Sequence, residues 1–239
     1  MLWSSDLQFT NATQLNDPFD CHPKLLDYSN IPKEIRGNIP EDWYREKEEL
    51  DASNLRNDTW LCSLSKTNDS LLMWAHYCYN NKGICIGLDI EKVMACVPEM
   101  FGQIYLKPLI LEVQYQDIIQ RPDYSKSPWF YQLQTKAKDW EYEQEVRLAM
   151  IQPSPAYAAY TPEQIKQIKK GRKEFDWKEM RHYQPLTGDC FESLYFGINV
   201  DPKKKEKIIA HVRSKLNPDI KLYQMTIDPD AFRLKIEPI

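Results

Sequence analysis

Glycine is scarce in this chain, seven in 239 residues against sixteen prolines, so long flexible linkers are excluded and loops should be stiff and proline-punctuated. No Gly-x-Gly-x-x-Gly, P-loop, Gly-x-Ser-x-Gly or His-Glu-x-x-His pattern occurs, which removes the usual signatures of dinucleotide, nucleotide-triphosphate, serine-hydrolase and zinc-protease chemistry. The six cysteines include no Cys-x-x-Cys pair, disfavouring a zinc ribbon or a disulfide-stapled module, and they read as reduced thiols. Apolar runs never approach 18 residues, and the opening segment lacks a basic stretch followed by an apolar one. This predicts a cytoplasmic protein with no membrane partner. A net charge of −4 leaves no overall basic surface for nucleic-acid phosphates, although a local basic patch is compatible with it.

What is present is a globular composition, 42% hydrophobic and 28% charged, at a length that fits a single domain burying roughly 70% of its unfolded surface. Leu2, Trp3 and Phe9 suggest a short strand, followed by a fixed loop at Asn16-Asp17-Pro18-Phe19-Asp20. A solvated helix is expected over residues 41–58, around Trp43, Tyr44, Leu50 and Leu55. A strand is expected over residues 59–65, and a helix over 71–79 behind the N-cap candidates Asn68, Asp69 and Ser70. Strands are predicted over 84–90 and 109–115, a helix over 128–139, and a strand over 140–151. Thr161 and Asp201, each followed by proline, open two more helices, the first running toward residue 180. The second has Ile208, Ile209, Val212 and Leu216 inward. Strands over 192–200 and 220–227 complete a predicted single α+β domain, spanning 1–239, with a mixed, mostly antiparallel sheet flanked by helices.

The segment 140–151 is the most informative. In a strand, Val146, Leu148 and Met150 take one face while Glu143, Glu145 and Arg147 take the other. Carboxylates two residues apart repel, which raises at least one pKa unless a cation or a substrate hydroxyl intervenes. Such a pair suits a general base, a ribose ligand or a metal; it equally suits a wet strand face on which Arg147 bridges two acids. Met73, His76 and Tyr77 share a side of their helix, so His76 is either an acid–base group near neutrality or a satisfied core histidine. Asn16, Asp17 and Asp20 fit cation binding or substrate orientation, but capping of their own turn is the commoner use. The lysines at 203–215 and 166–173 match a phosphate surface and, more simply, the solvated faces of amphipathic helices.

Taken in order, Asn-Asp-Pro-Phe-Asp (16–20), Met-Trp-Ala-His-Tyr (73–77), Lys-Gly-Ile-Cys-Ile (82–86), Trp-Glu-Tyr-Glu-Gln-Glu-Val-Arg (140–147) and Tyr-Phe-Gly-Ile (195–198) resemble a widespread bacterial domain family of unknown function. Members of that family begin with a tyrosine-rich strand ahead of the segment matched by Leu2-Trp3. The family's layout is loosely similar to ADP-ribosyltransferase-like folds. That resemblance implies NAD as the candidate substrate, a nucleotide ligand, and a role in stress or phage defence. It assigns Glu145 or Glu143 to the nicotinamide ribose and the developing oxocarbenium charge; His76, from its place on the helix, is the third catalytic candidate. Tyr77 or Trp74 would pack near the nicotinamide and Arg147 would orient the acid or a phosphate; Asp17 is the substrate-contact candidate that the early loop itself offers. Two other classes fit the same residues: a nuclease holding Mg²⁺ with Asp17 or Asp20 and Glu143 and Glu145, and a non-catalytic module binding a partner through its aromatic residues.

Overall fold

Three segments of alternating apolar character, β1 (Asp6–Asn11), β2 (Thr59–Ser65) and β7 (Glu145–Ile151), form the centre of the larger sheet. The computed structural model describes residues 1–28, 31–38, 40, 42, 48, 52, 53, 55–96, 108–120, 128–151 and 180–239. In the larger sheet, β4 (Leu109–Glu112) and β8 (Arg181–Pro185) flank that centre in the order β4-β7-β2-β1-β8, antiparallel throughout. β2 and β7 pair along their full length, from Thr59 opposite Ile151 to Ser65 opposite Glu145.

A second sheet has the order β11-β10-β9-β3, from β3 (Ile84–Leu88), β9 (Phe191–Phe196), β10 (Lys221–Ile227) and β11 (Leu234–Pro238). β9 and β10 are parallel, so a crossover must join them. Helix Pro202–Lys215 supplies it: Asp201 accepts from the Lys204 amide at 2.9 Å, Pro202 sits at the first helical position, and Val212 is buried. A third, two-stranded parallel pair is β5 (Gln114–Gln116) with β6 (Thr135–Ala137). The fold is therefore α+β and mostly antiparallel, with its strands divided among three sheets where one mixed sheet was expected.

The main core joins Leu7, Phe9, Trp60, Cys62, Leu148 and Met150 from one face of the larger sheet to Leu194, Phe196 and Leu222 of the second. Alternation sends Leu61 and Ala149 to the opposite face, where they meet Cys21, Leu111 and Leu133. That second face carries the candidate site.

Several element boundaries differ from expectation. The helix expected over 128–139 stops at Gln134, and the chain then runs through β6 and a 3₁₀ turn, Lys138–Glu143, before β7 begins at Glu145. The expected strand 109–115 breaks at Val113 into β4 and β5. The strand expected over 84–90 ends at Leu88, with helix Ile90–Cys96 following, and the one expected over 192–200 ends at Phe196. The helix expected over 71–79 forms over Leu71–Tyr77, with Ser70 as the N-cap residue. In the expected helix 41–58, residues 55–57 are helical, whereas Trp43, Tyr44 and Leu50 lie outside the described residues. The helix expected from Thr161, with the lysines at 166–173, also lies outside them.

Candidate functional site

The acids of β7 lie under cover. Glu145 is 3% exposed, Glu143 5% and Arg147 0%, so the exposed or cleft-facing strand row expected from alternation is instead a buried charge cluster. Only Glu145 and Arg147 are on the strand. Glu143 ends the preceding 3₁₀ turn, and Gln144 between them takes a left-handed conformation, φ 44° and ψ 51°. That turn rotates the chain, so Glu143 and Glu145 reach the same cation from two directions.

The cation is Lys136 of β6. Its ammonium donates to Glu143 Oε2, lies 2.9 Å from Glu145 Oε2 and 4.0 Å from Asp20 Oδ2, and sits 5.0 Å from the ring centre of Trp140. Arg147 completes the cluster from below. Its Nε donates to Glu145 Oε1 at 2.9 Å, Nη2 to Asp20 Oδ2 at 2.8 Å, and Nη1 to the Leu133 carbonyl at 2.9 Å. Three carboxylates thus share two cations, and each guanidinium nitrogen has an internal acceptor.

Burial by itself raises the Glu145 carboxyl, but the charges and hydrogen bonds of Arg147 and Lys136 outweigh it and hold it at about 2. For Asp20 the balance is reversed: burial outweighs Arg147, and its carboxyl is raised. Burial by itself lowers Lys136, but Glu145 and Glu143 outweigh it and hold the ammonium above its ordinary value.

One contact carries the cluster toward solvent. The hydroxyl of Tyr77, on helix Leu71–Tyr77, donates to Glu143 Oε1 at 2.5 Å, while the Tyr77 side chain is 54% exposed. Burial and this bond to Glu143 push the phenol's pKa upward, so it stays protonated. His76 does not reach the acids; its Nδ1 is 3.1 Å from the Tyr142 hydroxyl, and the two rings meet edge to face. Trp74 faces the other way, buried with Met225 and Leu234, its indole N–H donating to the Asn68 carbonyl at 2.7 Å. Asp17 caps its turn, accepting from the Phe19 amide at 2.9 Å.

The expected residues therefore divide. Tyr77, Glu143 and Glu145 come together with Arg147 and Asp20; His76 borders them; Trp74 and Asp17 stand apart in other roles. Sequence reasoning does not reach Lys136, because it falls in a segment whose pattern reads as the end of a helix, and nothing local marks it as the shared cation. Tyr115, whose hydroxyl accepts from the Glu145 amide at 2.7 Å, and Tyr142 lie in segments that the sequence marks, but nothing local marks their hydroxyls as part of the site.

An open cavity of about 620 Å³ also lies between the two larger sheets, lined by Leu64, Ile110 and Val146 of one and Ile86, Ser193 and Tyr195 of the other. Val146 alternates with Glu145 and Arg147, so this cavity is on the opposite face of β7 from the charge cluster.

Among the described residues, no group of three or more His, Cys, Asp or Glu side chains is arranged to hold a metal ion, and no helix is long and apolar enough to cross a membrane. The acids that a magnesium site would recruit close instead on Lys136 and Arg147. No curated protein and no solved structure matches the chain. Residues 73–148, about a third of the chain, match a family described as a protein of unknown function (DUF2971), and that stretch contains His76, Tyr77, Lys136, Glu143, Glu145 and Arg147.

Proposed function

We propose that the chain binds a nucleotide at the corner formed by Tyr77, Glu143, His76 and Tyr142, with NAD as the candidate and ADP-ribosyltransferase-like chemistry as the activity. The observation that supports this reading is the Tyr77–Glu143 hydrogen bond, because it links a half-exposed aromatic ring to a carboxylate at the edge of a dry charge cluster. Glu143 is the working acid in this reading. Both oxygens of Glu145 are occupied by Arg147 and Lys136, whereas Glu143 gives one oxygen to Lys136 and, among the described residues, the other to Tyr77. When Tyr77 swings aside, Glu143 Oε1 becomes free to accept from a ribose hydroxyl and to stabilise positive charge developing on the sugar. Arg147, expected to orient substrate, acts in this reading on Glu145 from within the protein.

A second reading is a non-catalytic binding module. It draws on the same cluster, since acids this fully paired serve equally as an internal clamp, leaving Tyr77, His76 and Tyr142 as a partner-binding surface.

A thermal-shift titration with NAD and ADP-ribose separates the two, because a ligand bound only by the folded state raises the melting temperature by mass action. The enzyme reading expects a shift that Glu143→Gln abolishes, together with NAD consumption by the wild type. Absence of any shift would leave the binding module.

A further inference from the structure

Outside the charge cluster, two cysteines distant in sequence stand side by side. Cys96, the last residue of helix Ile90–Cys96, and Cys190, at the end of the 3₁₀ turn Gly188–Cys190, bring their sulfurs to 3.7 Å. The Thr187 hydroxyl touches both, 3.6 Å from Cys96 Sγ and 3.5 Å from Cys190 Sγ. Backbone contacts fix both partners. Gln184 Nε2 donates to the Cys96 carbonyl at 2.8 Å, and the Asp89 amide donates to the Cys190 carbonyl at 2.9 Å. Asp89 also accepts from the amides of Glu91 and Lys92 at the start of the Cys96 helix, so one residue ties both elements.

Their exposures differ in a useful sense. Cys190 is 0% exposed, whereas Cys96 is partly exposed and lines an open cavity of about 640 Å³, together with His182, Tyr183 and Lys92. We propose that Cys96 and Cys190 form a reversible disulfide, with Cys96 as the peroxide-reactive thiol and Cys190 as the resolving one. The Cys96 thiol gives up its proton and the thiolate attacks one oxygen of a hydroperoxide; the O–O bond breaks, Cys96 becomes a sulfenic acid, and the departing hydroxide or alkoxide takes up that proton to leave as water or an alcohol. Cys190 then attacks the Cys96 sulfur, the S–O bond breaks, and the departing hydroxide takes the Cys190 proton as a second water. The two thiols lose two electrons and the peroxide gains them. A disulfide requires about 2.05 Å between sulfurs, so side-chain rotation must close the remaining gap. A small external dithiol reverses the reaction through Cys96, the partly exposed partner.

The other thiols lack this arrangement. Cys21 is buried and its sulfur contacts Arg147 Nη1 at 3.3 Å, and burial pushes the Cys62 thiol up to about 12. Cys78 donates to the Ile84 carbonyl, and burial pushes Cys85 up to about 11.

The test treats the fully reduced chain with hydrogen peroxide and maps its peptides without reduction. The wild type is expected to lose two of its six titratable thiols, to lose two hydrogens in mass, and to yield one cross-linked peptide joining Cys96 to Cys190, all restored by dithiothreitol. Cys96→Ser keeps its remaining thiols and gives no cross-link. Cys190→Ala gives a Cys96 sulfenic acid that dimedone traps. If Cys190→Ala fails to fold, the wild-type map and Cys96→Ser decide between them. A wild type that retains six thiols, goes directly to a Cys96 sulfinic acid, or cross-links Cys78 to Cys85 overturns the proposal.

Discussion

The ammonium of Lys136 stands 2.9 Å from Oε2 of Glu145, and this buried pair anchors the parallel pair β5–β6 to the first residue of the antiparallel strand β7. The same ammonium holds Glu143, so Lys136 joins acids on two different elements. Removing it leaves three carboxylates with Arg147 as their remaining cation among the described residues.

Lys136→Met should accordingly cost about 3–5 kcal/mol, the usual penalty for breaking a buried pair while its partners stay buried. Urea unfolding followed by tryptophan fluorescence measures it. Lys138→Ala, which removes the exposed partner of Glu141, should leave the midpoint unmoved. Equal effects from the two substitutions would show that the cluster is not dry.

Glu145 sets a pH dependence whose sign follows from its depressed carboxyl, about 2 against 4.5. The folded state binds this proton more weakly than the unfolded chain does. Its stabilising contribution is therefore complete above about pH 4.5 and is lost as pH falls toward 2. At roughly 1.4 kcal/mol for each tenfold change in proton affinity, the contribution is on the order of 3 kcal/mol. Asp20, raised from 3.8, acts in the opposite sense, contributing fully below pH 3.8 and losing that contribution as pH rises through its higher value. The stability gap between wild type and Glu145→Gln should narrow steadily between pH 4.5 and 2, measured by urea midpoints at each pH.

Tyr77 and Trp74, three residues apart on one helix, should respond differently to substitution. Tyr77→Phe removes a donor that water replaces at a half-exposed site, so stability should fall by only about 1 kcal/mol. Trp74→Ala empties a core position and should cost about 3–5 kcal/mol. If the corner binds NAD, Tyr77→Phe changes the NAD-dependent thermal shift, because it alters what Glu143 Oε1 faces. A shift that depends on Trp74 but not on Tyr77, with both variants folded, would place the ligand elsewhere.

Gly197 sits where a Cβ would come within 2.2 Å of the Asn81 carbonyl oxygen. That carbonyl belongs to a turn in which Tyr79, Asn80 and Asn81 all have positive φ, and it also accepts from the Asn199 amide at 2.9 Å. Backbone cannot give way as a flexible side chain can, so Gly197→Ala should cost about 1–3 kcal/mol or more, measurable by thermal unfolding.

Much of the scaffold is legible in the amino-acid sequence. The Ser70 cap, the Asp201-Pro202 helix start and the alternation of Leu148 and Met150 rest on contacts between residues near in sequence or on a strand's two-residue period, and each forms as local chemistry dictates. Asp17 caps its own turn for the same reason. The boundary after Gln134 is not legible, because pairing between β6 and β5 overrides the local helical tendency of 128–139. β8 and β11 are each secured by pairing with a neighbouring strand, β1 and β10, and local pattern does not reveal them either.

The charged row shows the division most clearly. Sequence determined that Glu143, Glu145 and Arg147 would lie close together, since a span of five residues keeps them near whatever the backbone does. Whether that row meets water or protein was decided by other elements packed against it: Asp20 in a turn 127 residues away from Arg147, and, nearer in sequence, Leu133 on a helix and Lys136 on a strand that exists only through its pairing. The same holds for Cys96 and Cys190, 94 residues apart with sulfurs at 3.7 Å. Local patterns fix which face a side chain takes, but the dielectric around it, and so its charge state and chemistry, depends on what the rest of the chain packs against that face.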